Sequence, residues 1–111
     1  MIANRELPSC PVATTITVIG SKWKLMILWS IFHGPKRFGE LQRSLSGISQ
    51  KVLTDSLRSM EQDGILTRTI FPEIPPRVEY SLSELGETLR PIIITMEQWG
   101  NNYKRALAAQ E

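Results

Sequence analysis

Residues 36–82, KRFGELQRSLSGISQKVLTDSLRSMEQDGILTRTIFPEIPPRVEYSL, crowd two helices and a hairpin into one short stretch, and that order leaves few folds open. Ser49 follows a Gly47-Ile48 turn and can cap the helix after it with its hydroxyl. Leu53, Leu57 and Met60 then fall at i, i+4 and i+7, making one apolar stripe on a helix from Ser49 to Asp63. Gln50, Lys51, Thr54 and Arg58 consequently point the other way, and Gly64 supplies a C-terminal stop. Upstream, a shorter helix is expected over about Gly39 to Ser44. Its Glu40 suits the first-turn dipole, and Leu41 and Leu45 turn inward. Downstream, LTRTIF and RVEYSL alternate in period two around FPEIPP, whose prolines cannot continue a ladder. Helix, turn, helix and hairpin in this order make a winged helix-turn-helix, so the chain is expected to be α+β and mostly α.

Charge is distributed to match. The net charge of +2 over 111 residues says little, but residues 21–60 carry seven Lys or Arg against two acids, whereas residues 61–111 carry five against eight. The basic surplus lies on the helix-turn-helix, where counterion release from double-stranded DNA requires it. With 41% hydrophobic residues the chain can bury one modest core and is expected to be a single domain. The longest largely apolar run, Leu25 to Phe32, is far short of the ~20 residues that a membrane span needs. No basic start leads into an unbroken apolar stretch, so a soluble, cytoplasmic chain without a membrane partner is expected.

One cysteine, Cys10, excludes an intrachain disulfide and a multi-cysteine zinc site. His33 is the only histidine and falls at the end of a core helix, where it serves the dipole or packing. A Cys10–His33 pair has no third orienting residue, oxyanion loop, phosphate cradle or metal spacing beside it. The expectation is therefore no enzyme, no cofactor and no metal. Trp23, Trp29, Trp99, Met26 and Met96 read as core rather than as a cofactor pocket.

The flanks are helical by pattern. Proline is favoured at a first helical position, so Cys10-Pro11 is a helix entrance, and Val12, Ile16 and Ile19 share a face, although VATTITVI favours a strand by propensity alone. After the Gly20-Ser21 break, a second helix is expected from Lys22 to His33, with Trp23, Met26, Ile27 and Ile31 inward and Leu25, Leu28 and Trp29 widening the stripe; Gly34-Pro35 stops it. Ser83 can cap a last helical region with Glu84 and Glu87 in its first turn. Its apolar residues, Leu85, Leu89, Ile92, Met96, Trp99, Tyr103 and Ala106, alternate in steps of four and three. That is a heptad seam, and it asks for a partner helix. Pro91 must kink or split the region. Met1 to Pro8 and about the last four residues are expected to fray.

CPV, IGSKWKLMIL, KRFGELQR, GISQKVLTDSLRSMEQDG, PPRVEYSLSELG and EQWG, in that order, resemble the HxlR-type transcriptional regulators, a branch related to the MarR group, and the likeness spans Cys10 to Trp99. The resemblance implies a bacterial, dimeric, DNA-binding regulator, often a repressor near its own gene, with terminal helices making the dimer. It divides the chain into a DNA-binding core at 22–82 and dimerisation helices at about 10–20 and 83–108. Gly39 stands where such proteins often carry Asn, Ser21 where a glycine is common and Ser83 where a threonine is common.

In a homodimer, two copies of the Ser49–Asp63 helix would enter successive major grooves roughly 34 Å apart on a pseudo-palindromic operator. Gln50, Lys51 and Thr54 are candidates to read bases, Gln toward adenine and Lys toward guanine. Ser49 is a cap or a base contact. Arg58, a turn later, is a candidate to hold phosphate; Arg37, Arg43 and Arg77, the last on the wing's return strand, are phosphate or minor-groove candidates, with a merely solvated arginine as the alternative for each. Val12, Ile16, Leu89, Ile92, Met96, Trp99 and Tyr103 are the expected dimer interface. Cys10 stands where helix N–H groups and dipole favour a thiolate. By resemblance it takes the role of a redox or electrophile sensor, giving an intersubunit disulfide, a mixed disulfide or an alkylated thiol; the alternative is a small, partly buried cysteine with nothing to sense. A small-molecule effector between wing and dimer helices has no named residue behind it. The rival reading is a winged helix that binds proteins without specific DNA binding.

Overall fold

Burial of the amphipathic stripes organises the chain. A computed structural model describes residues 5–110 and shows α1 (Pro11–Ile19), α2 (Lys22–Ile31), α3 (Phe38–Ser44), α4 (Gln50–Gln62), β1 (Leu66–Phe71), β2 (Arg77–Leu82), α5 (Glu84–Glu87) and α6 (Arg90–Ala108). Ile27 and Leu28 of α2, Leu41 of α3, and Leu53, Leu57 and Met60 of α4 lose nearly all contact with water. Each such side chain contributes about 1.5–3 kcal/mol by leaving solvent. Ile31, Phe32, Leu45, Ile48, Ile65, Leu66, Leu89 and Ile93 close the same core.

Local chemistry sets the ends of these elements. Pro11 opens α1, and Thr14, Thr15 and Thr17 donate their hydroxyls to carbonyls four residues back, so no hydroxyl on this β-branched helix goes unpaired. Ser21 caps α2 by accepting from the Lys24 N–H at 3.1 Å. At the other end of α2, His33 Nδ1 meets the Trp29 carbonyl at 2.9 Å with its ring edge-on to Trp29, the helix-end role expected of it. Arg37, not Gly39, is the N-cap of α3; its backbone N–H donates to Glu40 at 2.9 Å, and Gly39 lies inside the first turn.

α4 ends in a Schellman turn. Ile65 N–H reaches the Met60 carbonyl and Gly64 N–H the Glu61 carbonyl, with Gly64 at φ +77° where side chains are strained. Ser83 stitches this turn to the C-terminal half. Its hydroxyl lies 2.5 Å from the Gly64 carbonyl and accepts from Gly86 N–H at 2.9 Å. Gly86 packs directly on the Ile65 carbonyl, 2.2 Å from where a Cβ would stand, so no other residue fits without a shift. Arg90 then grips Glu87 through two hydrogen bonds, donates to the Phe32 carbonyl at 3.2 Å and lies over the Phe32 ring. The Glu87 carboxyl is held below its ordinary range, chiefly by the Arg90 hydrogen bond.

β1 and β2 pair antiparallel from Leu66↔Leu82 to Phe71↔Arg77, and the proline-containing loop between them is the wing. Lys36 adds a one-residue bridge to Tyr80, with both backbone hydrogen bonds made, so the segment before α3 is sewn to the wing. The expected alternation fails in β1, where only Leu66 is buried, because nothing covers the distal hairpin.

Other expectations shift as well. α2 stops at Ile31, and Met26 is 43% exposed; apolar residues nearly surround this helix, so period alone does not select its inner face. The split expected at Pro91 is present and divides the C-terminal region into α5 and α6. Leu89, expected on the seam, sits in this chain's own core at 9% exposure, because it falls at the junction of the two helices. Within the segment expected to fray, Arg5 forms a 2.9 Å ion pair with the buried carboxylate of Asp63. That cation offsets an acid placed unfavourably at the C-terminus of α4. Met1 to Asn4 and Glu111 lie outside the described residues. Among the described residues no helix is long and apolar enough to cross a membrane.

Truncating Leu57 to Ala removes a side chain that is only 2% exposed at the α2–α4 contact. Thermal and urea unfolding should show a loss of about 2–5 kcal/mol; a loss under ~1 kcal/mol would contradict this account of the core.

Candidate nucleic-acid interface

Two helices and both strands of the hairpin converge on one polar surface. α3 ends at Ser44 with Leu45 as its C-cap, the chain turns at Gly47, and Ser49 caps α4 by accepting from the Val52 N–H at 3.1 Å. Because Leu53, Ser56, Leu57 and Met60 face the core, Gln50, Lys51, Asp55 and Arg58 are exposed and Thr54 is half-buried. Gln50, Thr54 and Arg58, one turn apart, look toward the wing. With Glu61, Arg68 and Tyr80 they line a polar cleft of about 530 Å³. Lys51 lies around the helix, in a shallower hollow with Asp55.

The arginines expected on this surface differ in how freely they can act. Arg58 is exposed on α4 and Arg37 at the start of α3. Arg43 is exposed in the last turn of α3 with its guanidinium close over Gly39, so a side chain at position 39 would displace it. Arg77 is committed to the wing: it pairs with Glu73 at 3.1 Å and Glu79 at 3.6 Å and covers the Phe71 ring, and it reads as a strut of the hairpin rather than a free cation. Lys51 is tied to Asp55 at 2.6 Å, but both are well exposed, and such a pair is worth at most ~1 kcal/mol and yields readily to a stronger anion.

Sequence reasoning passed over four residues here. Asp55 was signalled by its i+4 spacing from Lys51. Val52, exposed near the start of α4, offers an apolar surface of the kind that meets a thymine methyl. Arg68 and Glu61 carried no signal, since only the strand register and the docking of the wing bring them to the cleft.

A second surface is apolar. On α1, Val12 and Ile16 are 67% and 60% exposed, and on α6 Ile92, Met96, Trp99 and Tyr103 form an exposed stripe in which Trp99 and Tyr103 stack at 5.3 Å. Between α1 and the α5–α6 junction runs an apolar groove of about 490 Å³, lined by Val18, Leu85, Leu89 and Ile92 among others. Cys10 is the N-cap of α1 and is exposed, but its side chain makes no hydrogen bond to the helix N–H groups. Among the described residues no cluster of His, Cys, Asp or Glu could hold a metal.

This arrangement has relatives. Residues 18–108 match the sequence profile described as HxlR-like helix-turn-helix. The HTH-type transcriptional regulator YdeP of Bacillus subtilis is 44% identical over 102 residues, which cover 92% of this chain and 80% of YdeP. Among solved structures, the reduced form of the redox regulator HypR superimposes with a TM-score of 0.84 at 43% identity, covering 90% of this chain and 99% of that one. Its oxidised form gives 0.81 at 46% identity, covering 84% and 96%. A MarR-family transcriptional regulator from Enterococcus faecalis V583 gives 0.77 at 38%, covering 96% and 99%. With helix-turn-helix, wing and these likenesses in agreement, the chain belongs to the HxlR-like helix-turn-helix family and is a transcriptional regulator, not an enzyme.

Proposed function

We propose that the protein controls transcription in the cytoplasm by binding a pseudo-palindromic operator as a homodimer, in most contexts as a repressor. The observation that carries this reading is the polar outer face of α4, with Gln50, Thr54 and Arg58 exposed or half-exposed beside the wing. Gln50 and Lys51 on the first exposed turn read base edges, Thr54 supports them, and Arg58 holds phosphate. Ser49 is occupied as the helix cap. Arg37 and Arg43 extend the backbone contacts along α3.

Dimerisation follows from the apolar stripe. The chain measures 55 × 36 × 24 Å with a radius of gyration of 15.8 Å, against about 13 Å for a compact domain of this length. Val12, Ile16, Ile92, Met96, Trp99 and Tyr103 remain on the outside of this extended shape, a pattern that a second copy would bury in a two-fold interface. Two α4 helices set by that axis would meet successive major grooves roughly 34 Å apart.

Cys10 is the candidate switch. Its exposed thiol at the start of α1 adjoins the apolar face of that helix, and HypR, a similar protein, is a redox regulator solved in both oxidised and reduced forms. Attack of the Cys10 thiolate on a disulfide would give a mixed disulfide and release the other half as a thiol. A bulky group there would disturb the dimer axis and hence the spacing of the two α4 helices.

Fluorescence anisotropy with a labelled duplex from upstream of the gene should show tight, competitor-resistant binding with a steep salt slope. Replacing Gln50 or Lys51 by Ala should cost about 1–3 kcal/mol on the operator and relax preference at particular base pairs. Arg58→Ala should instead weaken every duplex alike; the reverse pattern would overturn these roles. Weak, sequence-blind binding by the intact dimer would favour a protein-interaction module. Sedimentation of Trp99→Asp should show a monomer where the parent is a dimer, and a monomeric parent at tens of micromolar would remove the dimer. Cys10 should react with a disulfide reagent faster than a free model thiol at neutral pH. An ordinary rate would sink the sensing role.

A further inference from the structure

We propose that the cleft between α4 and β1 is a two-sided seat for a phosphodiester of one DNA strand, gripped by Arg68 of the wing opposite Arg58 of the helix. This rests on the DNA-binding reading above and adds a contact from a residue that neither the sequence pattern nor that reading assigns.

The wing carries two arginines, and the structure separates them. Arg77 has its charge answered by Glu73 and Glu79 and its face covered by Phe71. Arg68 is exposed, and among the described residues no carboxylate lies within ion-pair distance of it or of Arg58. Register does the rest. Arg68 pairs across the hairpin with Tyr80, and Tyr80 is itself bridged to Lys36 by two backbone hydrogen bonds, so the Arg68 end of the wing cannot swing away from the helices. The cleft that results is polar and open on one side, with the Thr54 hydroxyl and the Tyr80 phenol as further donors. Fixed donors around two unanswered guanidinium groups suit a backbone phosphate, which takes several charge-assisted hydrogen bonds at once.

Glu61 lines the same cleft and is not ion-paired among the described residues. Two arginines against one glutamate leave the cleft with one net positive charge, so losing either arginine makes it neutral. Arg58 and Arg68 should therefore each be required for the grip, and Glu61 should act as a brake that keeps affinity for arbitrary DNA low.

The test uses the full chain and two duplexes, the upstream fragment and a scrambled one of equal length, titrated across salt. Arg68→Gln should weaken both by the same factor, roughly tenfold, and make the slope of log affinity against log salt shallower by about 1. Arg68→Lys should restore most of the slope, since it keeps the charge, and Glu61→Gln should tighten both duplexes several-fold. Circular dichroism confirms that each variant is folded. Arg68→Gln with unchanged affinity and slope, or with a loss on the upstream fragment alone, would overturn the proposal, as would Glu61→Gln weakening either duplex. Absence of salt-dependent DNA binding by the parent chain would overturn the DNA-binding reading together with this one; binding by the parent that Arg68→Gln leaves intact overturns this inference only.

Discussion

The packing of α4 against α2 decides almost everything else. Once Leu53, Leu57 and Met60 are buried on Ile27 and Leu28, the 100° step of the helix leaves no freedom about which side chains face solvent. Gln50, Lys51, Thr54 and Arg58 are outside because the leucines are inside. The surface read as a nucleic-acid interface is thus a by-product of core formation, and its aim is as rigid as the core itself.

A second constraint ties the wing and the C-terminal helix to the same core. The turn at Gly64, the Ser83 hydroxyl and the bare backbone of Gly86 meet at the Ile65 carbonyl, while Lys36 and Tyr80 sew the start of the helix-turn-helix to the hairpin. Arg90 adds a link from α6 to the end of α2. These contacts join α4, the wing and the start of α6 to one core.

The molecule divides its exposed surface by chemistry. Polar and basic groups gather around α3, α4 and the wing, whereas the large exposed apolar side chains concentrate on α1 and α6. Neither surface is explained by the stability of the protomer: apolar side chains left in water contribute nothing to folding, and arginines without partners contribute repulsion. Both are what the proposed reading asks of the surface, an apolar face for a second copy and a basic one for DNA.

Much of this was readable from pattern alone. The Leu53–Leu57–Met60 stripe, the Ser49 and Ser83 caps, the Gly64 stop and the proline-bounded hairpin each follow from interactions within a few residues, which sequence spacing records directly. Apolar period also marked the α6 seam. It did not reveal that Leu89 turns into the chain's own core, that Met26 faces out of an all-round apolar helix, that Arg5 reaches Asp63, or that Arg77 is spent inside the wing while Arg68 faces α4. Those outcomes depend on which elements meet across the fold, between residues far apart in the chain, and periodicity carries no information about such meetings. Local hydrogen bonding and helical geometry wrote the elements into the amino-acid order; long-range packing chose which charges were left free.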